Sequence, residues 1–135
     1  MVRAKSLTPQ SIIAAMERGD FYASSGVAVD GIRLAKRTYS FRIQPEKGVT
    51  YTTWFIGTRK NFKSSPDLAK RNSLQPSEAD IGEILGQTTS LTPSYTFNGN
   101  ELYVRAEIMS SKKKANPYAA GEHERAWLQP IRTPK

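Results

Sequence analysis

Apolar residues along this chain follow a helical period only near the N-terminus and a period of two almost everywhere else. Within residues 8–19, Thr8 is suited to cap a helix, Pro9 to open its first turn and Gly19 to end it. We therefore predict one short helix over this range. Its apolar stripe consists of Ile12, Ile13 and Met16.

From residue 20 onward, short alternating stretches are separated by glycine, proline and asparagine, which is typical of strands joined by turns. The clearest stretch is Glu101–Ser110, where alternate residues from Leu102 to Ile108 are apolar and are expected to face inward. We predict a single domain over residues 1–135. It is mainly β, an antiparallel, two-layer, immunoglobulin-like β-sandwich of seven or eight short strands that follows the N-terminal helix.

Two glycine-containing turns predict hairpins between consecutive strands. Asn98-Gly99 is a preferred two-residue hairpin turn because both residues tolerate positive φ. Lys47-Gly48 similarly separates two strand-like stretches. The predicted pairs are 39–43 with 49–56, and 94–97 with 101–110.

The segment from residue 59 to residue 85 differs in kind from its surroundings. It mixes serine, proline, asparagine and charged residues with few apolar ones. This composition predicts a long loop with one helical turn at residues 66–70.

Composition then narrows the classes of function. The chain has no cysteine, which excludes disulfides and thiolate metal sites. No apolar run approaches the roughly 20 residues that cross a bilayer, and the N-terminus lacks the apolar core of a signal peptide. We therefore expect a soluble chain without a membrane partner.

The net charge of +8 is concentrated in the middle of the chain, where residues 30–71 contain ten basic and three acidic residues. Such a segment suits a polyanion, either single-stranded nucleic acid or an acidic glycan, with Tyr51 or Trp54 near an exposed basic face. A solvated basic face is the alternative. The candidate polyanion-binding residues are Lys36, Arg37, Arg59, Lys60 and Lys63.

Catalytic chemistry has little support in the sequence. His123 is the single histidine, and its acidic neighbours Glu122 and Glu124 would point to the opposite face of a strand. With Asp80 or Glu83 they form at most a weak candidate metal site, against a solvated turn. Ser24 and Ser25 lack a nucleophile motif. We predict no catalytic residue and no cofactor in this chain.

Two stretches of the chain resemble one protein family. The stretch "AAMERGDFYASSGVAVDGI" resembles the segment that closes the hydrolase barrel of the PHP (polymerase and histidinol phosphatase) family, in the branch where a β-rich C-terminal domain follows the barrel. The stretch "ELYVRAEIMSSKKKANPYAAGEHERAWLQPI" is similar to the C-terminal signature of such proteins. The family pattern Gly-x-Phe-Tyr-Ala-Ser-x-Gly is matched by Gly19, Phe21, Tyr22, Ala23, Ser24 and Gly26.

The resemblance implies a non-catalytic accessory domain of a metal-dependent phosphoesterase. The family's metal ligands lie on the barrel, which would precede Met1, and no position of this chain matches them. A free-standing module that binds polyanionic or carbohydrate ligands through a basic face is the alternative, and self-association through exposed apolar surface stays open. The candidate barrel-packing residues are Ile12, Ile13, Met16, Phe21 and Tyr22.

Overall fold

A computed structural model describes residues 1–61 and 81–134 of the protein. The backbone in these ranges forms one helix and nine strands. In chain order they are α1 (Pro9–Glu17), β1 (Tyr22–Ser24), β2 (Val29–Ala35), β3 (Thr38–Ile43), β4 (Tyr51–Arg59), β5 (Glu83–Thr88), β6 (Ser94–Thr96), β7 (Glu101–Lys113), β8 (His123–Leu128) and β9 (Ile131–Arg132).

The strands form two antiparallel sheets. The large sheet has the order β1-β8-β7-β4-β5, with β9 also paired to β7, and the small sheet has the order β2-β3-β6. Their inner faces share one hydrophobic core, in which the ring of Tyr39 on β3 lies 6.1 Å from the ring of Phe55 on β4. The predicted two-layer antiparallel β-sandwich with an N-terminal helix is confirmed.

The helix begins and ends where the sequence predicts. The Thr8 side chain accepts a hydrogen bond from the backbone N–H of Ser11 at 3.3 Å, and Pro9 is the first helical residue. Gly19 follows the helix with a φ of 74°, which the absence of a side chain makes inexpensive. Local capping chemistry therefore determines both ends.

Both predicted hairpins are wrong. Strand β3 pairs with β2 and β6 in the small sheet, whereas β4 lies between β7 and β5 in the large sheet. Likewise β6 pairs with β3, and β7 pairs with β4, β8 and β9. Each of the two turns carries the chain from the small sheet to the large one. An alternating pattern identifies the face that a strand buries but not the strand beside it.

The predicted loop over residues 59–85 is wrong at both ends of the range, which belong to strands. Arg59 ends β4, and the last three positions of the range belong to β5, a strand that the sequence analysis did not predict. Two apolar residues, Ile84 and Leu85, stand side by side in β5, where its pairing with β4 shifts register, so the pattern does not alternate. The predicted helical turn at residues 66–70 lies outside the described residues.

The start of β7 reverses the expected inward and outward positions. Glu101 has no exposed surface and Leu102 is 41% exposed, although the predicted alternation holds from Val104 onward. The pairing of β7 with β4 shifts register between Thr58 and Arg59. An irregularity of this kind changes which side chains face the core.

Candidate functional site

Four of the five predicted polyanion-binding residues meet at one end of the sandwich. Lys36 and Arg37 form the turn between β2 and β3, while Arg59 and Lys60 lie at the end of β4. Lys63 lies outside the described residues. We call the group Lys36, Arg37, Arg59 and Lys60 the basic end.

The turn between β6 and β7 holds the basic end together. The Lys60 ammonium donates a hydrogen bond to the carbonyl of Gly99 at 2.8 Å, and the Arg59 guanidinium donates to the Asn100 side chain at 3.3 Å. The carbonyl of Arg37 accepts from the N–H of Phe97 at 2.8 Å. The basic end is therefore assembled from segments of both sheets.

Glu101 organises this turn from inside. Its fully buried carboxylate accepts hydrogen bonds from the N–H groups of Asn98 at 3.0 Å and Gly99 at 2.9 Å, and from the Tyr95 hydroxyl at 2.7 Å. Gly99 adopts a φ of 95°, while Asn98 does not have the positive φ that a type I′ turn requires. The backbone N–H groups of this turn therefore donate to the Glu101 side chain and not to the backbone of a paired strand.

Burial and hydrogen bonding act in opposite directions on the pKa of Glu101. Burial, the largest influence, raises the pKa of this carboxyl, but the hydrogen bonds from Asn98, Tyr95 and Gly99 together outweigh it and leave the pKa below its ordinary value. Burial first, and then the hydrogen bond to Glu101, raises the pKa of Tyr95. The pair is thus a neutral phenol that donates to an ionised carboxylate.

The four basic side chains of the basic end differ in their contacts with other groups of the protein. Nε of Arg59 lies 2.5 Å from the Glu83 carboxylate, so its charge is already balanced. The side chain of Lys60 points at a carbonyl. Lys36 and Arg37 lie on the exposed turn between β2 and β3, and the Arg37 guanidinium lies against Gly99. An anion approaching this end would meet these two residues first.

The predicted combination of basic strand residues with Tyr51 or Trp54 on one face is wrong. Tyr51 is 5% exposed and lies in the core, where its hydroxyl accepts a hydrogen bond from the N–H of Glu46. Trp54 lies on the outer face of the large sheet, whereas Arg42 lies on the small sheet and pairs with Asp30 at 2.9 Å. Neither aromatic residue belongs to the basic end.

His123 lines a cleft together with Glu122, whereas Glu124 lies on the other side of β8. Glu122 pairs with Lys114 at 2.9 Å, and this contact, the largest influence, lowers the pKa of Glu122. Glu124 is 7% exposed and points to the opposite side of β8, toward Lys112. In residues 1–61 and 81–134 no group of three His, Cys, Asp or Glu side chains is placed to hold a metal ion. Asp80 lies outside the described residues.

Ser24 and Ser25 are engaged in backbone hydrogen bonds. The Ser24 hydroxyl donates to the carbonyl of Val27 at 2.6 Å, and the Ser25 hydroxyl accepts from the N–H of Arg125 at 2.9 Å. Both side chains stabilise the end of β1. Neither hydroxyl contacts His123.

The N-terminal helix presents most of its predicted stripe to solvent. Ile13 is 56% exposed and Met16 is 51% exposed, while Ile12 is partly exposed. The helix packs on the rest of the chain through the fully buried Ala15. Tyr22, in contrast, is 3% exposed and lies in the sandwich core. It is therefore not a surface residue that another domain could contact.

Backbone hydrogen bonds join residues 1–3 to residues 20–22, so the chain before the helix pairs with the chain after it. The N–H of Tyr22 donates to the carbonyl of Met1 at 2.9 Å, and the N–H of Arg3 donates to the carbonyl of Asp20 at 2.8 Å. Phe21, partly exposed, pairs with Val2 in the same short ladder. The helix is thereby attached firmly to the edge of the large sheet, with its apolar stripe outward.

A row of side chains on the outer face of the large sheet was not predicted from the sequence. Trp54 on β4 pairs with Glu107 on β7, which pairs with Trp127 on β8. We call these three residues the tryptophan row. Trp54 stands between the buried residues Thr53 and Phe55, so the alternation of β4 could have placed it outward.

The one helix among the described residues, nine residues long, is too short to cross a membrane. No protein-family model, no curated protein and no solved structure matches this chain.

Proposed function

We propose that this chain is a non-catalytic accessory domain that packs on the catalytic barrel of a PHP-type, metal-dependent phosphoesterase through the N-terminal helix. The observation that carries the proposal is the outward apolar stripe of α1. Ile13 and Met16 are both more than half exposed on a helix whose base is tied to the sheet. A rigid, exposed apolar helix face is a suitable contact for another domain.

The resemblance of residues 14–32 to the segment that closes such a barrel supports this partner. That segment contains the end of α1, β1 and the beginning of β2. A barrel joined ahead of Met1 would therefore lie close to the helix. Phe21 and Ile12, both partly exposed, lie in the same part of the chain and belong to this contact.

The isolated chain tests the non-catalytic part of the proposal. We expect it to hydrolyse neither p-nitrophenyl phosphate nor bis(p-nitrophenyl) phosphate with added Mn²⁺ or Zn²⁺, and to retain no stoichiometric metal after gel filtration. Hydrolysis together with one bound metal per chain would refute the proposal.

The helix contact is tested in a polypeptide that also carries the barrel, obtained by extending the reading frame upstream of Met1. The double variant Ile13→Glu and Met16→Glu should lower the thermal midpoint of that protein and admit protease between the domains. In the isolated chain the same variant should change the free energy of unfolding by less than about 1 kcal/mol, because both side chains are exposed. Leu91→Glu, at another exposed apolar residue, is the control. Equal effects of both variants on the longer protein would contradict the helix contact, and an upstream frame without a barrel would refute the partner.

A second candidate function, the binding of a polyanion, is favoured by the convergence of Lys36, Arg37, Arg59 and Lys60 at one end of the sandwich. Two carboxylates, Glu83 and the buried Glu101, balance only part of this positive charge. Lysine and arginine side chains at the surface bind phosphate or sulfate groups by releasing counterions, so such binding weakens steeply with salt. The exposed pair Lys36 and Arg37 would form most of the contact.

Heparin chromatography tests this second function. Combined charge reversal of Lys36→Glu and Arg37→Glu should elute the protein at clearly lower salt than the wild type. Arg42→Glu together with Arg33→Glu, on the outer face of the small sheet, is a control of equal net charge. If both double variants shift elution equally, retention reflects only the net charge of +8, and a specific site at the basic end is excluded.

A further inference from the structure

The tryptophan row places two indole rings on one flat surface at a defined spacing. Residues paired directly across neighbouring strands point to the same face of a sheet. Trp54 and Trp127 are each paired with Glu107, one on either side, so two strand spacings, about 9.6 Å, separate their backbones. Both rings are partly exposed. They are the two tryptophans of the chain.

Polar groups hold the row in place. The indole N–H of Trp54 donates a hydrogen bond to the Gln87 side chain at 3.1 Å, on the next strand. The Glu107 carboxylate accepts from the Arg125 guanidinium at 2.6 Å, and its other oxygen lies 3.5 Å from the Arg105 guanidinium. The surface between the rings thus offers fixed hydrogen-bond donors and acceptors with little net charge.

A cleft of about 470 Å³ extends the row at the Trp127 end. Trp127 and Arg125 form part of its wall, and the opposite part comes from the segment between β7 and β8. Lys114, Glu122 and His123 also line the cleft. A ligand that lies along the row could therefore enter a polar recess at one end.

Linked pyranose rings fit this arrangement. A sugar ring has an apolar face of C–H groups, which packs on an aromatic ring, and an edge of hydroxyl groups, which pairs with carboxylates, amides and guanidinium groups. Two indoles separated by two strand spacings can each stack on one sugar ring of the same chain. The Glu107 and Arg125 pair would then lie beneath the sugar ring between those two. Gln87 and Arg105 would bind hydroxyl groups at the margins.

We propose that the outer face of the large sheet is a glycan-binding surface on which Trp54 and Trp127 stack sugar rings of one chain and the paired Glu107 and Arg125 bind its hydroxyl groups. Nucleic acid fits less well, because the two arginines beside the row share one carboxylate and leave few charges for phosphates. This surface is separate from the basic end and from α1.

Native affinity electrophoresis of the 135-residue chain tests the proposal, with hydroxyethylcellulose and arabinoxylan as neutral probes and polygalacturonate as an acidic probe. We expect retardation by at least one of them. Because both tryptophans belong to the row, addition of that glycan should also shift the tryptophan fluorescence in a saturable way. Retardation by polygalacturonate alone would identify a uronate-containing ligand of the row only if it persists in the Lys36→Glu and Arg37→Glu variant of the basic end.

Variants of the row then locate the binding. Trp54→Ala and Trp127→Ala should each lower the affinity at least about fivefold, in line with the loss of one aromatic stack. Trp54→Phe and Trp127→Phe, which keep a ring, serve if an alanine variant does not fold, and they should weaken binding less. Glu107→Gln should also weaken it. The control is Leu91→Ala, which removes an exposed apolar side chain away from both the row and the cleft.

Three results would overturn the proposal. One is the absence of saturable binding to any of the probes. Another is binding that the variants at Trp54, Trp127 and Glu107 leave unchanged. The third is binding that disappears in the Lys36→Glu and Arg37→Glu variant but persists in the row variants, which would assign the glycan to the basic end.

Discussion

Replacing Glu101 by alanine should lower the free energy of unfolding by about 3–5 kcal/mol, a large part of the stability of a small domain. The substitution removes the acceptor for two backbone N–H groups and for the Tyr95 hydroxyl, all at a position without exposed surface. These donors would remain near the core without a partner. Urea denaturation followed by tryptophan fluorescence measures the change.

The basic end should be disturbed in the same variant. Gly99 accepts the hydrogen bond from Lys60, and its own N–H donates to Glu101. Loss of the carboxylate would loosen this turn, so hydrogen exchange at Asn98 and Gly99 should accelerate. The control is Glu46→Ala, which removes an exposed carboxylate paired with Lys112 and should cost no more than about 1 kcal/mol. Similar costs for the two variants would contradict the role of Glu101.

The pH dependence of stability gives a second measure of the same residue. The pKa of Glu101 is lowered in the folded protein from its ordinary value of 4.5. Its contribution is therefore fully present above that value and is lost as the pH falls through the lower folded pKa. The Glu101→Gln variant should lack this part of the acid-induced loss. A wild-type slope below pH 5 in that variant would show that the carboxylate titrates normally.

Replacing Gly57 by alanine should cost about 3 kcal/mol or prevent folding. Gly57 lies on β4, and an added Cβ would overlap the backbone carbonyl of Tyr103 and lie 2.7 Å from Cδ1 of Leu85. The carbonyl belongs to β7 at the centre of the large sheet and cannot move without breaking the ladder between β4 and β7. Overpacking at such a site costs about 1–3 kcal/mol and sometimes more.

Gly86→Ala on β5 is the matched control for this prediction. A Cβ at Gly86 would lie 3.7 Å from the Tyr95 ring and 3.8 Å from the Phe55 ring, which is ordinary van der Waals contact. Because Gly86 does not have a positive φ, the change should be neutral or stabilise by about 0.5 kcal/mol. Thermal melts of both variants test the pair. Equal destabilisation would show that replacing either glycine lowers stability through the backbone conformation it requires and not through close packing.

Features set by neighbouring residues were predictable from the sequence. Thr8, Pro9 and Gly19 define the helix through hydrogen bonds and backbone angles within a few residues. The alternation of β3 and most of β7 predicted which side chains enter the core. The resemblance to the PHP family remains a prediction.

Strand partners were not predictable in the same way. The turn after β3 and the turn after β6 both looked like hairpin turns, but each connects the two sheets. Strand β5 was missed because a register shift removes its alternation. Alternation records burial, whereas pairing is decided by how all strands share one core.

The sequence by itself therefore determined the helix, the β class and the supply of basic and aromatic residues. Only the tertiary structure decided that Lys36, Arg37, Arg59 and Lys60 meet around one turn, that Glu101 is buried, and that the two tryptophans flank one carboxylate. The physical reason is distance along the chain. Trp54 and Trp127 are brought onto one face by strand registers across three strands, and Glu101 is buried by a shift in one of those registers.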